Sequence, residues 1–121
     1  MVKACGIKEL ITIDPNNLQM TKDAIEWGLN VDGPAVIITR WPCVLKKLSS
    51  MDKDEFPTAF KQVCTVDVEK CVGCKKCLKS GCPALAFDTA NKKSGILKDV
   101  CVGCGVCAQI CPKQAIEVEA R

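Results

Sequence analysis

With 121 residues, 17 of them basic and 14 acidic for a formal charge of +3, the chain has room for one domain or two very small ones. Eleven cysteines without a histidine would mark a disulfide scaffold in a secreted protein, yet Met1 to Asp14 has no apolar stretch of signal-peptide type and no run approaches a membrane span. The thiols are therefore expected in a reducing cytoplasm, bound to metal, and nucleic acid is excluded as a partner because the basic excess carries no aromatic platform with it.

The chain opens with a short β-branched run, Leu10-Ile11-Thr12-Ile13, closed by Asp14-Pro15. Asn16 or Asn17 is placed to cap a helix from Leu18 to Leu29, with Leu18, Ile25 and Leu29 on one face. Asn30 to Pro34 reads as a stop and turn, and Ala35-Val36-Ile37-Ile38-Thr39 as a fully buried parallel strand. Residues 1–48 thus make one βαβ segment, and 49–63 a linker. A lone βαβ cannot cover both faces of its own sheet, so this part is expected to be incomplete. Trp27 and Trp41 read as packing residues, Cys5 and Cys43 as small buried hydrophobes. Without histidine or an evident carboxylate pair, no catalytic constellation can be built.

Residues 65 to 121 form an internal repeat with an offset of 30, in which Cys71-Val72-Gly73-Cys74 returns as Cys101-Val102-Gly103-Cys104. Strand-like pieces precede each copy (Thr65 to Asp67, Ile96 to Lys98) and follow it (Leu85 to Phe87, Ala115 to Val118). Lys92-Lys93-Ser94-Gly95 reads as the turn between the halves. Cys64, seven residues before Cys71, reads as a plain strand residue, with a place beside a metal group as the alternative.

Two cysteine runs carry the chemistry: Cys71-x2-Cys74-x2-Cys77-x4-Cys82-Pro83 and Cys101-x2-Cys104-x2-Cys107-x3-Cys111-Pro112. Each iron corner of a cubane needs one thiolate, and cysteines three apart lie one tight turn apart, so a short loop can wrap three corners. Gly73, Gly103 and Gly105 suit such a loop, because only glycine enters left-handed backbone geometry without steric cost. Zinc sites usually pair two separated C-x2-C units, often with histidine. Cysteines so closely spaced also make a poor disulfide framework. The runs resemble those of bacterial-type two-cluster ferredoxins, whose fourth cysteine ligates the other cluster. Carried over, Cys71, Cys74, Cys77 and Cys111 hold one [4Fe–4S] cluster, and Cys101, Cys104, Cys107 and Cys82 hold the second. The expected fold class is α+β: a dicluster bacterial-type ferredoxin domain over 64–121, preceded by the incomplete α/β segment. Two oxidised cubes with their thiolates turn the charge of +3 into about −1. Lys70, Lys75, Lys76 and Lys79 read as a solvated face offsetting that charge, or as a docking patch for an acidic partner.

The whole pattern resembles the C-terminal part of the alpha subunit of indolepyruvate ferredoxin oxidoreductase. The features that carry it are Asp14-Pro15 at the first corner, Gly33-Pro34-Ala35-Val36-Ile37-Ile38 and Arg40-Trp41-Pro42-Cys43-Val44-Leu45. To these are added Cys77-Leu78-Lys79-Ser80-Gly81-Cys82-Pro83-Ala84 and Cys104-Gly105-Val106-Cys107-Ala108-Gln109-Ile110-Cys111-Pro112. In that family a thiamine diphosphate domain decarboxylates an aryl pyruvate, coenzyme A takes the acyl group, and electrons leave singly through the clusters to an external ferredoxin. The resemblance implies an electron relay whose partners are other oxidoreductase subunits or a missing thiamine domain. The Gly-Asp-Gly…Asn motif for diphosphate and magnesium has no counterpart in residues 1–63. Thiamine diphosphate and magnesium are thus expected only in a complete enzyme, and the chain reads as a truncated product, a fragment or a separately encoded tail, not catalytic alone. The rival readings are an independent dicluster electron carrier and a structural zinc module.

Overall fold

The computed structural model describes residues 1–121 and divides into two compact units, Met1–Trp41 and Pro42–Arg121. In the first, a 3-10 turn at Val2–Cys5 leads into β1 (Glu9–Ile13), α1 (Leu18–Asn30) and β2 (Ala35–Thr39). Asp14 ends the β-branched strand: its carboxylate accepts the Asn16 N–H at 2.8 Å and its carbonyl the Asn17 N–H. Asn17 then caps α1, its side-chain oxygen accepting the Met20 N–H at 3.0 Å. β2 returns parallel to β1, with Glu9 opposite Ala35 and Ile13 opposite Thr39.

The helix turns a different face inward from the one its large apolar residues suggest. Ile25 and Leu29 are exposed, while Ala24 is buried. At Gly28 an added Cβ would lie 3.7 Å from the Ile37 Cδ1. Small side chains let the helix backbone approach the strands closely, and that proximity outweighs the bulk of the opposite face. β2 is only half-buried from Ala35 to Ile38, not fully buried as its composition suggests, because one helix covers one face of two strands.

The second unit comprises α2 (Ser50–Glu55), β3 (Gln62–Val66), β4 (Leu85–Asp88), β5 (Lys93–Ile96), α3 (Val106–Ile110) and β6 (Ile116–Ala120). The segment 49–63 therefore holds a helix, opened by a capping box in which the Ser49 hydroxyl accepts the Asp52 N–H and the Asp52 carboxylate accepts the Ser49 N–H. β3 pairs antiparallel with β6, and β4 with β5. Two equivalent bonds of 2.8 Å, Asp67 N–H to the Ala115 carbonyl and Leu97 N–H to the Ala84 carbonyl, extend these two pairings between the copies of the repeat. The β4–β5 turn lies at Thr89–Lys92. Ser94 and Gly95, expected in the turn, are strand residues. Asp88 decides this, since its carboxylate accepts from the Ala90 and Asn91 N–H groups and from the Asn91 amide, winding the chain before Lys93. The core of this unit is Val63, Cys64, Cys77, Ala84, Cys101, Cys107 and Ile116. Thiols thus occupy the positions where aliphatic side chains usually pack. No helix is long and apolar enough to cross a membrane.

Candidate functional site

Two loops, one per half of the repeat, wind around two cavities. Cys71, Cys74 and Cys77 line the first, together with Cys111 from the end of α3 and with Ser94 of β5. Cys101, Cys104 and Cys107 line the second, together with Cys82 and with Cys64 of β3. Each cavity thus gathers three cysteines of one run and the fourth of the other. Cys71, Cys77, Cys101 and Cys107 are buried, Cys82, Cys104 and Cys111 half-buried, and Cys74 exposed. All eleven thiols are free. They surround volumes rather than converge on a point, and an all-sulfur donor set of this kind fits an iron–sulfur group with several metal corners.

The glycines make the loops possible. Gly73 and Gly103 have φ of 67° and 71°, and a Cβ on either would fall 2.1 Å from the Lys92 carbonyl oxygen or 2.2 Å from that of Gln62. Any side chain there meets both left-handed strain and a backbone clash. Gly105 is left-handed as well, whereas its repeat partner Lys75 adopts φ of 59° without being glycine. The Lys75 ammonium lies 4.3 Å from the centre of the Phe87 ring.

Backbone N–H groups reach a sulfur in each cavity: Gly103 and Cys64 donate to the Cys101 Sγ at 3.4 Å, and Ala115 to the Cys111 Sγ at 3.3 Å. A hydrogen bond from the Ser94 backbone, aided by Gly73 and the Lys93 ammonium, holds the Cys71 thiol below its ordinary range. Burial pushes the Cys107 thiol up, with nearby thiols adding to it, and burial likewise raises Cys64. The Lys93 ammonium donates to the Cys71 carbonyl, and the Arg121 guanidinium to the Cys101 carbonyl at 2.6 Å.

The remaining cysteines divide. Cys64 is buried against the second run's thiols, not those of the first run that it precedes in sequence. Cys5 and Cys43 are exposed and line neither cavity; the expectation that they pack inside is corrected, because Cys5 sits in a surface 3-10 turn and Cys43 in a tight turn closed by the Lys46 N–H. Ser94 is the site residue that the sequence reading missed. Its signal was available, since Cys64 and Ser94 are themselves 30 residues apart. Lys75, Lys76 and Lys79 are exposed, while Lys70 pairs with Asp67 at 3.1 Å and Glu117 at 2.9 Å, which holds the Asp67 carboxyl below its usual range.

Residues 64–112 match the family described as a 4Fe-4S dicluster domain. Such a domain holds two [4Fe–4S] clusters, and one-electron transfer is the chemistry they supply when bound. This replaces the zinc reading. The chain is 35% identical over 118 residues to the indolepyruvate oxidoreductase subunit IorA of Thermococcus kodakarensis, covering 97% of this chain and 18% of that protein. The corresponding subunit of Methanothermobacter thermautotrophicus is 33% identical over 122 residues, covering 100% and 18%. The pyruvate synthase subunit PorD of Thermotoga maritima is 46% identical over 54 residues, covering 41% of this chain and 50% of that one. The resemblance read from the sequence thus extends over nearly all of the chain, which spans about a fifth of the length of the IorA relatives.

Proposed function

We propose that the chain is the electron-relay part of an indolepyruvate (2-oxoacid):ferredoxin oxidoreductase, taking single electrons from a thiamine-dependent centre and passing them to an external ferredoxin in the cytoplasm. The observation that carries the relay reading is the meeting, in each cavity, of three cysteines from one run with the fourth from the other. Cys71, Cys74, Cys77 and Cys111 then hold one cube, and Cys101, Cys104, Cys107 and Cys82 the second. Gly73 and Gly103 keep the loops tight enough to present the thiols, and backbone N–H groups orient the sulfurs. Residues 64–121 form the cluster-bearing domain, joined through 49–63 to residues 1–48. These resemble the end of a thiamine diphosphate domain, and their half-covered strands support docking to other parts of such an enzyme. The diphosphate motif has no counterpart here, so this chain relays electrons but does not decarboxylate.

The test is anaerobic reconstitution of the full chain. We expect about eight iron and eight labile sulfides per chain, reduction by dithionite, and reoxidation by a ferredoxin. With thiamine diphosphate, magnesium and coenzyme A supplied, indolepyruvate should give no dye reduction. Stoichiometric zinc without sulfide would overturn the cluster reading, and robust indolepyruvate turnover the non-catalytic one.

A further inference from the structure

We infer that Ser94 and Cys64 make the two cubes unequal, so that the cube facing Ser94 is the easier one to reduce. The inference rests on the ligand reading above and concerns what the repeat does differently in its two halves.

Ser94 and Cys64 hold equivalent places, 30 residues apart, on β5 and β3. Each is buried, at 5% and 1% exposure, and each lines the cavity of the other copy's cysteine run, Ser94 that of Cys71, Cys74 and Cys77 and Cys64 that of Cys101, Cys104 and Cys107. Ser94 is the one buried polar side chain among the core residues, and its Oγ lies 3.3 Å from the Cys77 Sγ. Once Cys77 is a thiolate it can only accept, so the rotatable hydroxyl donates its proton to sulfur. Cys64 offers a thiol in the equivalent place, and S–H is a weak donor.

The neighbouring cations point the same way as Ser94, since Lys75 and Lys113 line the first cavity and no lysine or arginine lines the second, so the variants at Ser94 and Cys64 are what isolate the donors. Lys93 donates to the Cys71 carbonyl and Arg121 to the Cys101 carbonyl, one cation for the first cysteine of each run. Lys113, at the rim of the first cavity, is exposed and acts in the same direction as Ser94. The Ser80 hydroxyl at the second cavity donates to the Cys77 carbonyl, so among buried side chains the repeat sets one strong donor to sulfur against one weak one. Reduction adds negative charge to a cube and its thiolates, and hydrogen bonds to charged acceptors are the strong ones. A donor therefore favours the reduced state and raises the potential.

The experiment is a redox titration of the reconstituted full chain, followed by electron paramagnetic resonance, with iron and sulfide counted on each sample. Two midpoints are expected. Ser94→Ala should lower only the higher one, weakening reduction of that cube about tenfold, which is about 59 mV for one electron. Ser94→Thr, which keeps the hydroxyl, should restore it. Cys64→Ser should raise only the lower midpoint by a similar factor. A fully loaded chain whose midpoints ignore both Ser94→Ala and Cys64→Ser overturns the inference, as does a Ser94→Ala shift in the lower midpoint. Each variant reports on its own cube, so loss of one cube in one variant leaves the other decisive. A wild-type chain that cannot hold about eight irons overturns the cluster reading, and this inference falls with it.

Discussion

The two units of this chain solve the problem of small size in opposite ways. Met1–Trp41 has a conventional interior reduced to Ile13 and Ala24, with Leu29 and Ile25 in water. Pro42–Arg121 has an interior in which buried cysteines stand among Val63, Ala84 and Ile116. Apolar area alone rarely supports so small a unit, and metal binding by otherwise weakly folded loops is folding free energy. Metal bound by its buried thiols would stabilise the second unit, whereas the first has half-covered strands and no equivalent. Residue burial taken alone would rank the units without revealing that they depend on different chemistry.

Removing iron breaks this comparison most directly. Chelation under anaerobic conditions should abolish amide-exchange protection in β3–β6 and β4–β5 while leaving α1, β1 and β2 as they were. Equal loss in both units, or in neither, would show that the metal is not what separates them. Next in size are the fourth cysteines. Cys82→Ser should remove the resonance of the cube at the second run, and Cys111→Ser that of the cube at the first. Damage confined to the mutated residue's own run would refute the crossed arrangement.

Gly103→Ala and Gly73→Ala come third. The left-handed backbone alone costs about 1–3 kcal/mol for a non-glycine residue, and the carbonyl clash adds to it, so thermal melting should fall by many degrees in the second unit only. Gly6, equally left-handed but with nothing within 4 Å of its Cβ position, is the control and should cost less. The smallest effects are the helix caps. Asn17→Ala and Ser49→Ala should each cost about 1 kcal/mol, the former seen in the exchange of α1 amides and the latter in those of α2. An Asn17→Ala effect that spreads into the cysteine loops would mean that the two units unfold together.

What could be read from the chain beforehand follows the range of the interactions involved. Asn17, the β-branched run at β1 and the left-handed glycines are local signals, and the structure bears each of them out. α2 was hidden because Ser49…Asp52 caps a helix without apolar periodicity. The hairpin turn lies three residues before Lys92-Lys93-Ser94-Gly95, whose composition looks turn-like, because the Asp88 side chain winds the backbone earlier. The inward face of α1 followed Gly28 and Ala24 rather than its leucines, since the closest approach is set by what the strands present. Ser94 stayed unseen because its meeting with Cys77 depends on strand pairing across 17 residues.

The crossed placement of the fourth cysteines also bears on how such a domain can be inherited. Cys82 stands in the cavity of the later half and Cys111 in that of the earlier one. A chain severed in the β4–β5 turn would leave each fragment with a pocket short of one wall and one sulfur with no pocket to face. A single copy of the repeat is not a portable unit. Each cavity draws a wall from both copies, so a half-length chain could complete its pockets only as a pair.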